Sequence, residues 1–149
     1  MAAQPQFPHN LYAYLTLDEA VEAYTQIMER TGQVPEALRS RGALEAALAR
    51  GMNAHSYTGA DLIRQATLMA VGISQGQPFV DGNKRVAFAV LDVFLRLNGY
   101  RSVPTPGQRY EVVDRLADLA VAVAERAVRS EHAEAAFEAW VRDHVQPLS

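Results

Sequence analysis

Asn83-Lys-Arg-Val-Ala-Phe-Ala-Val-Leu-Asp-Val-Phe-Leu-Arg-Leu-Asn-Gly99 is the stretch that decides the fold. Between Val86 and Leu95 it has apolar residues on nearly every side of a helix, with no strand-like alternation. A helix that is apolar all round has to sit in the middle of its domain. Asn98-Gly99 supplies a left-handed stop. The expectation is a central buried helix over about residues 83–98, with other elements wrapped round it.

Working outward, the remaining patterns are helical too. Thr16-Leu-Asp-Glu19 reads as a capping box, followed by Ala20, Val21, Tyr24, Ile27 and Met28 and stopped at Gly32. A short helix is expected over 43–50, ending at Gly51. The segment from Gly51 to Tyr57 lacks a period and reads as a loop or small hairpin. Thr58-Gly-Ala-Asp61 looks like a cap for a long helix from about 60 to 74, with an apolar face of Leu62, Ile63, Ala66, Met69, Ala70 and Ile73 and an end at Gly76. Thr105-Pro-Gly-Gln108 has the cap, proline and glutamine of another helix start, and a last helix follows Ser130. No segment alternates over strand length. The class is all-α: a compact fold with about five helices round the central one, the domain spanning 14–145 after an N-terminal arm at 1–13.

Composition sets bounds. The chain has 149 residues, enough for a single domain that buries about two thirds of its unfolded surface. A net charge of -3 gives no basic sheath for nucleic acid and no cationic face for a membrane. There are no cysteines, which excludes disulfides, thiol catalysis and cysteine-ligated zinc. No apolar run reaches the ~20 residues of a membrane span, and the N-terminus lacks the basic start and apolar core of a signal peptide. A cytoplasmic location is expected.

The chemistry lies just before the central helix, in Gln77-Pro-Phe-Val-Asp-Gly-Asn-Lys-Arg85. A helix N-terminus offers backbone N–H groups and partial positive charge. Gly82 permits an unusual backbone angle and close approach by a ligand. Lys84 and Arg85 add two cations, so the segment is suited to a polyphosphate. Asp81 beside an anion site is repulsive unless a cation bridges them, which points to Mg2+ on a nucleotide. Taken alone, Asp81-Gly-Asn-Lys-Arg85 reads equally well as a capped helix start followed by solvated cations.

The longer string resembles the signature of the Fic/Doc family, His-x-Phe-x-(Asp/Glu)-Gly-Asn-(Gly/Lys)-Arg. Asp81 and Lys84 resemble the Doc (death-on-curing) branch. Arg41-Gly-Ala-Leu-Glu-Ala-Ala-Leu48 is similar to that branch's Arg-x-x-Gly-Leu-Leu-Glu-Ser-Ala-Leu stretch, and Val93-Phe-Leu-Arg-Leu-Asn-Gly-Tyr100 to the close of its central helix. The likeness runs roughly from Tyr14 to Val141. It implies transfer of part of a nucleotide to a Ser/Thr hydroxyl of a target protein, with ATP and Mg2+ as cofactors. For the Doc branch the implied transfer is of the γ-phosphate onto a translation elongation factor, by the toxin half of a type II toxin–antitoxin pair. A Phd-like antitoxin whose disordered tail folds into a groove is the implied partner. On this resemblance Asp81 would hold the metal, and Gly82 and Asn83 would present donors to phosphate. Lys84 and Arg85 would neutralise charge, and Phe79 would wedge the loop against the core.

Only the first signature position departs. The family has a histidine there, acting as general base; this chain has Gln77. A carboxamide hydrogen-bonds a hydroxyl but does not take its proton near neutral pH, and loss of a general base typically costs ~10²–10⁴ in rate. Three explanations stand open. The chain is a degenerate member that binds without catalysing, or it uses another base such as His55, or the residue is a detoxifying change. AMP transfer and a silent nucleotide- or partner-binding module are the alternatives to phosphate transfer. His55 and Tyr57 are expected on the loop where the family carries a flap that docks the target. His9, His132 and His144 lack the spacing of metal ligands.

Overall fold

The computed structural model describes residues 11–102 and 131–148. Among them five α-helices and two short strands follow one another: α1 (Leu17–Arg30), α2 (Arg41–Thr58), α3 (Leu62–Gly76), α4 (Asn83–Leu97), β1 (Tyr100–Ser102), α5 (Glu131–Asp143) and β2 (Val145–Pro147). The fold is all-α, as the sequence implies. The helix expected after Thr105 and the first ten residues of the arm lie outside the described residues.

α4 is the central helix. Val86, Phe88, Val90, Leu91, Phe94 and Leu95 are all buried, and the helix packs chiefly against α3 on one side and α1 on the other. α2 and α5 pack on α3 in turn. Asp92 is the polar exception on α4. Its Oδ1 accepts from both the N–H and the hydroxyl of Ser102, each at 2.7 Å, and its Oδ2 pairs with Arg96 Nε at 2.7 Å. A buried carboxylate thus fixes β1 to the helix it follows, satisfied on both oxygens.

The starts of the helices follow their caps. Thr16 and Glu19 form the reciprocal capping box of α1, Thr16 N–H donating to Glu19 Oε1 at 2.9 Å and Glu19 N–H to Thr16 Oγ1 at 3.1 Å. Asp61 caps α3 by accepting from Arg64 N–H at 2.8 Å, so this helix opens at Leu62 and not at Ala60. Asp61 also receives Arg142 from α5 at 2.9 and 3.1 Å. Burial pulls that guanidinium down, but its hydrogen bonds with Asp61 and Glu138 outweigh the cost and hold it above its ordinary value.

Two expectations need correction. α2 does not stop at Gly51; it runs on to Thr58, so the supposed loop is two further turns of helix. Gly51 is buried, and a Cβ there would stand 3.1 Å from Met69 Cε and 3.3 Å from Gln65. This glycine therefore lets α2 press against α3 and does not end a helix. The second correction concerns strands: Tyr100, Arg101 and Ser102 pair antiparallel with Pro147, Gln146 and Val145. Three residues a side are too few to show alternation.

Candidate active site

The loop from Gln77 to Gly82 joins the C-terminus of α3 to the N-terminus of α4. It is held from three directions. Beneath it, Phe79 is fully buried and its ring lies 3.9 Å from that of Tyr24, nearly parallel at 9°. From α4, the Asn83 carboxamide clamps the loop backbone, accepting from Phe79 N–H at 3.0 Å and donating to the Phe79 carbonyl at 2.9 Å. From the α1–α2 linker, Arg39 and Ser40 N–H groups both donate to the Pro78 carbonyl, at 2.8 and 3.0 Å, and the Arg39 guanidinium donates to the Gln77 carbonyl. Leu38 and Phe79 form an isolated antiparallel bridge at the same place.

Two backbone angles shape the loop. Gln77 closes α3 in the left-handed region (φ 47, ψ 59), the only non-glycine among the described residues with a positive φ. Gly76, expected to end the helix, is its last helical residue. Gly82 is the N-cap of α4 at φ 80. Asp81 is thus not the cap. A Cβ on Gly82 would lie 2.5 Å from Met28 Sδ and 3.1 Å from Met28 Cε. The absent side chain makes room for α1, and not, as expected, for a ligand.

Above this floor lies an open cleft of about 320 Å3, lined by Ser74, Gln77, Val80 and the run Asp81 to Arg85. Gln77, Asp81 and Lys84 are exposed, while Arg85 is half-buried. Gly82 has no side chain with which to cap α4, so the positive end of the helix opens on the cleft. Lys84 is moreover the sole lysine in the sequence. The end of α3 and the start of α4 therefore bring a carboxamide (Gln77), a carboxylate (Asp81), an ammonium (Lys84) and a guanidinium (Arg85) round one cleft.

Not every expected site residue is here. The Asn83 side chain is spent on the Phe79 backbone, so any donor it presents to a phosphate is its main-chain N–H. His55 and Tyr57 lie on the last turn of α2, not on a loop. His55 Nδ1 stands 3.2 Å from the Ala60 carbonyl, and its ring meets Tyr12 edge-on at 4.8 Å. Ala60 precedes α3 and Gln77 follows it, and fifteen helical residues rise ~22 Å between them. His55 therefore cannot serve as a replacement base, nor Tyr57 as part of a flap beside the cleft. What borders the loop instead is the segment from Leu38 to Ser40. Sequence reading missed it because its bonds end on main-chain carbonyls of the loop, although the quoted Arg-x-x-Gly pattern falls on Arg39-Ser-Arg-Gly42.

The donor set fits a nucleotide-borne metal. Among the described residues no three His, Cys, Asp or Glu side chains come together as a metal cage. A single carboxylate, Asp81, beside a phosphate-binding helix start is what Mg2+ accepts, since it keeps several waters and shares substrate phosphates.

Comparison with known families gives a match to the Fic/DOC family over residues 14–95, more than half of the chain. No curated protein matches it. The matched region spans α1 to all but the end of α4, and so contains the whole cleft and the linker that braces it. Fic proteins generally use ATP with a metal for nucleotide-dependent transfer. With the signature loop, the buried helix behind it and the matched region in agreement, the chain belongs to the Fic/DOC family.

Proposed function

We propose that this chain is a Doc-branch toxin domain that binds Mg-ATP in the Gln77–Arg85 cleft and directs the γ-phosphate to a Ser/Thr hydroxyl of a translation factor, with turnover held low by Gln77. The observation that carries the reading is the pairing of Lys84 and Arg85 with an uncapped helix start behind a loop that is braced on three sides. When bound, Mg-ATP supplies the transferable phosphoryl group and the charge of the metal. The chain's own residues do the rest. Asp81 would take the metal, Lys84 and Arg85 would offset negative charge, and the first-turn N–H groups of α4 would orient phosphate oxygens. Gln77 would hold a target hydroxyl by hydrogen bond, but its carboxamide leaves the proton in place.

Gln77 itself favours a second reading, a binding module that captures nucleotide or partner without turnover. AMP transfer is distinguished by product mass. Neutralisation by a Phd-like antitoxin and a cytoplasmic location belong to the same proposal. No helix among the described residues is long and apolar enough to cross a membrane.

The test is intact-mass analysis of candidate translation factors after incubation with Mg-ATP and either the chain or its Gln77→His variant. Added phosphate in the variant, ~10²–10⁴ faster than in the chain itself, supports the reading. Added AMP selects the alternative transfer. If the variant binds Mg-ATP in calorimetry yet modifies nothing, the binding module is the correct account.

A further inference from the structure

Position 77 is the one place where the backbone of the cleft adopts a conformation its residue disfavours. Gln77 sits at φ 47 with a side chain, whereas every other left-handed residue described is a glycine. Such a conformation persists only where neighbours over-determine it. Its N–H donates to Ile73 O at 2.9 Å, which belongs to the helix end itself. The remaining restraint comes from outside α3, and Arg39 contributes to it at two points, beside Ser40 and Asn83. The Arg39 main-chain N–H holds the Pro78 carbonyl and its guanidinium holds the Gln77 carbonyl, so one residue grips two successive peptide groups. Those carbonyls lie at the negative end of the α3 dipole, where a cation is favoured.

The grip is aimed at the side chain. Fixing the carbonyl of residue 77 on one side and its N–H on the other leaves the Cα–Cβ bond one direction, and residue 77 lines the cleft. Arg39 does not line that cleft. Its effect on chemistry therefore has to pass through residue 77. Ser40, next along, caps α2 by accepting from Ala43 N–H at 3.1 Å, which ties the linker to a rigid helix. The brace thus has a firm anchor.

We infer that Arg39 is a positioning residue for side chain 77: it holds the left-handed turn that points residue 77 into the cleft, and places a fixed positive charge beside it. The inference rests on the transfer reading for its consequence in catalysis, but not for its geometry.

The test therefore begins without turnover. In a labelled Gln77→His chain, the introduced imidazole is titrated by NMR with Arg39 intact, with Arg39→Ala and with Arg39→Lys. Loss of the nearby charge in Arg39→Ala is expected to raise the imidazole pKa by about half a unit and to broaden its ring signals as the turn loosens. Arg39→Lys keeps the charge, so its pKa should return while the broadening persists in part. Identical titrations and line shapes in all three overturn the proposal. Where Gln77→His transfers phosphate, adding Arg39→Ala should lower kcat about tenfold or more with KM for Mg-ATP nearly unchanged. A rise in KM alone also overturns it. An inactive Gln77→His chain would count against the transfer reading, while the titration still decides the role of Arg39.

Discussion

Asn83 bonds both ends of one peptide residue, its Oδ1 taking the N–H of Phe79 and its Nδ2 giving to the Phe79 carbonyl. The residue that opens the central helix is thereby the residue that sets the loop before it. Asn83→Ala removes both bonds and leaves two half-buried backbone groups unpaired, at a cost of about 1–3 kcal/mol. Urea denaturation should show this loss, and Mg-ATP affinity should fall with it. Asn83→Asp keeps the acceptor but sets a carboxylate oxygen against the Phe79 carbonyl, and should be no better than alanine.

Gly82→Ala meets two penalties, a positive φ and a Cβ at 2.5 Å from Met28 Sδ. Met28 is itself buried, with little freedom to withdraw. The expected loss is about 1–3 kcal/mol. Combined with Met28→Ala, the two losses should be less than additive, because the shortened residue vacates the contested space. Strict additivity in that cycle would mean that the contact is not the source of the penalty.

Since Lys84 is the sole lysine, reductive methylation with labelled formaldehyde gives one side-chain signal beside the N-terminal amine. Mg-ATP should shift that signal and Mg-adenosine should not. Lys84→Ala should weaken Mg-ATP binding about tenfold, the value of one charge-assisted contact. Equal affinity in the variant would remove Lys84 from the phosphate site.

Alkaline stability offers a check on the opposite end of α3. Burial, and for Tyr12 the nearby charge of Asp61, raise the phenol of Tyr12 above its ordinary 10.0; burial, and then Tyr12, raise that of Tyr14. A raised phenol keeps its proton longer in the folded chain than in the unfolded one. Stability from these groups is therefore complete below the ordinary value and is lost as pH climbs past it toward the folded value. The denaturation midpoint should fall above pH 10, and the Tyr12→Phe/Tyr14→Phe double variant should flatten that fall.

What could be read from the sequence was what local pattern and caps determine. The central helix begins at Asn83 and ends at Leu97 because its apolar run and flanking glycines say so. The capping box at Thr16 was legible for the same reason. Gly51 misled, since a glycine that admits a neighbouring helix and one that ends its own look alike in a string of letters. Gly82 was read correctly for its angle and wrongly for what comes close, because Met28 lies on a different helix. Arg39 stands where the quoted Arg-x-x-Gly pattern has its arginine, but the string of letters does not show what it holds, as a side chain that bonds main-chain carbonyls leaves no partner residue to spot. The signature loop was legible as chemistry, and its bracing only as structure.

The loop owes its shape to Arg39, Ser40, Phe79 and Asn83, while the Gln77 side chain is exposed and, among the described residues, takes no hydrogen bond. Glutamine and histidine codons differ only in their third base. A lineage carrying this chain therefore stands a single nucleotide change from having an imidazole in an intact cradle, with no compensating change required elsewhere. On the proposed reading, low turnover at this site is genetically shallow, and it can be entered or left without rebuilding the protein.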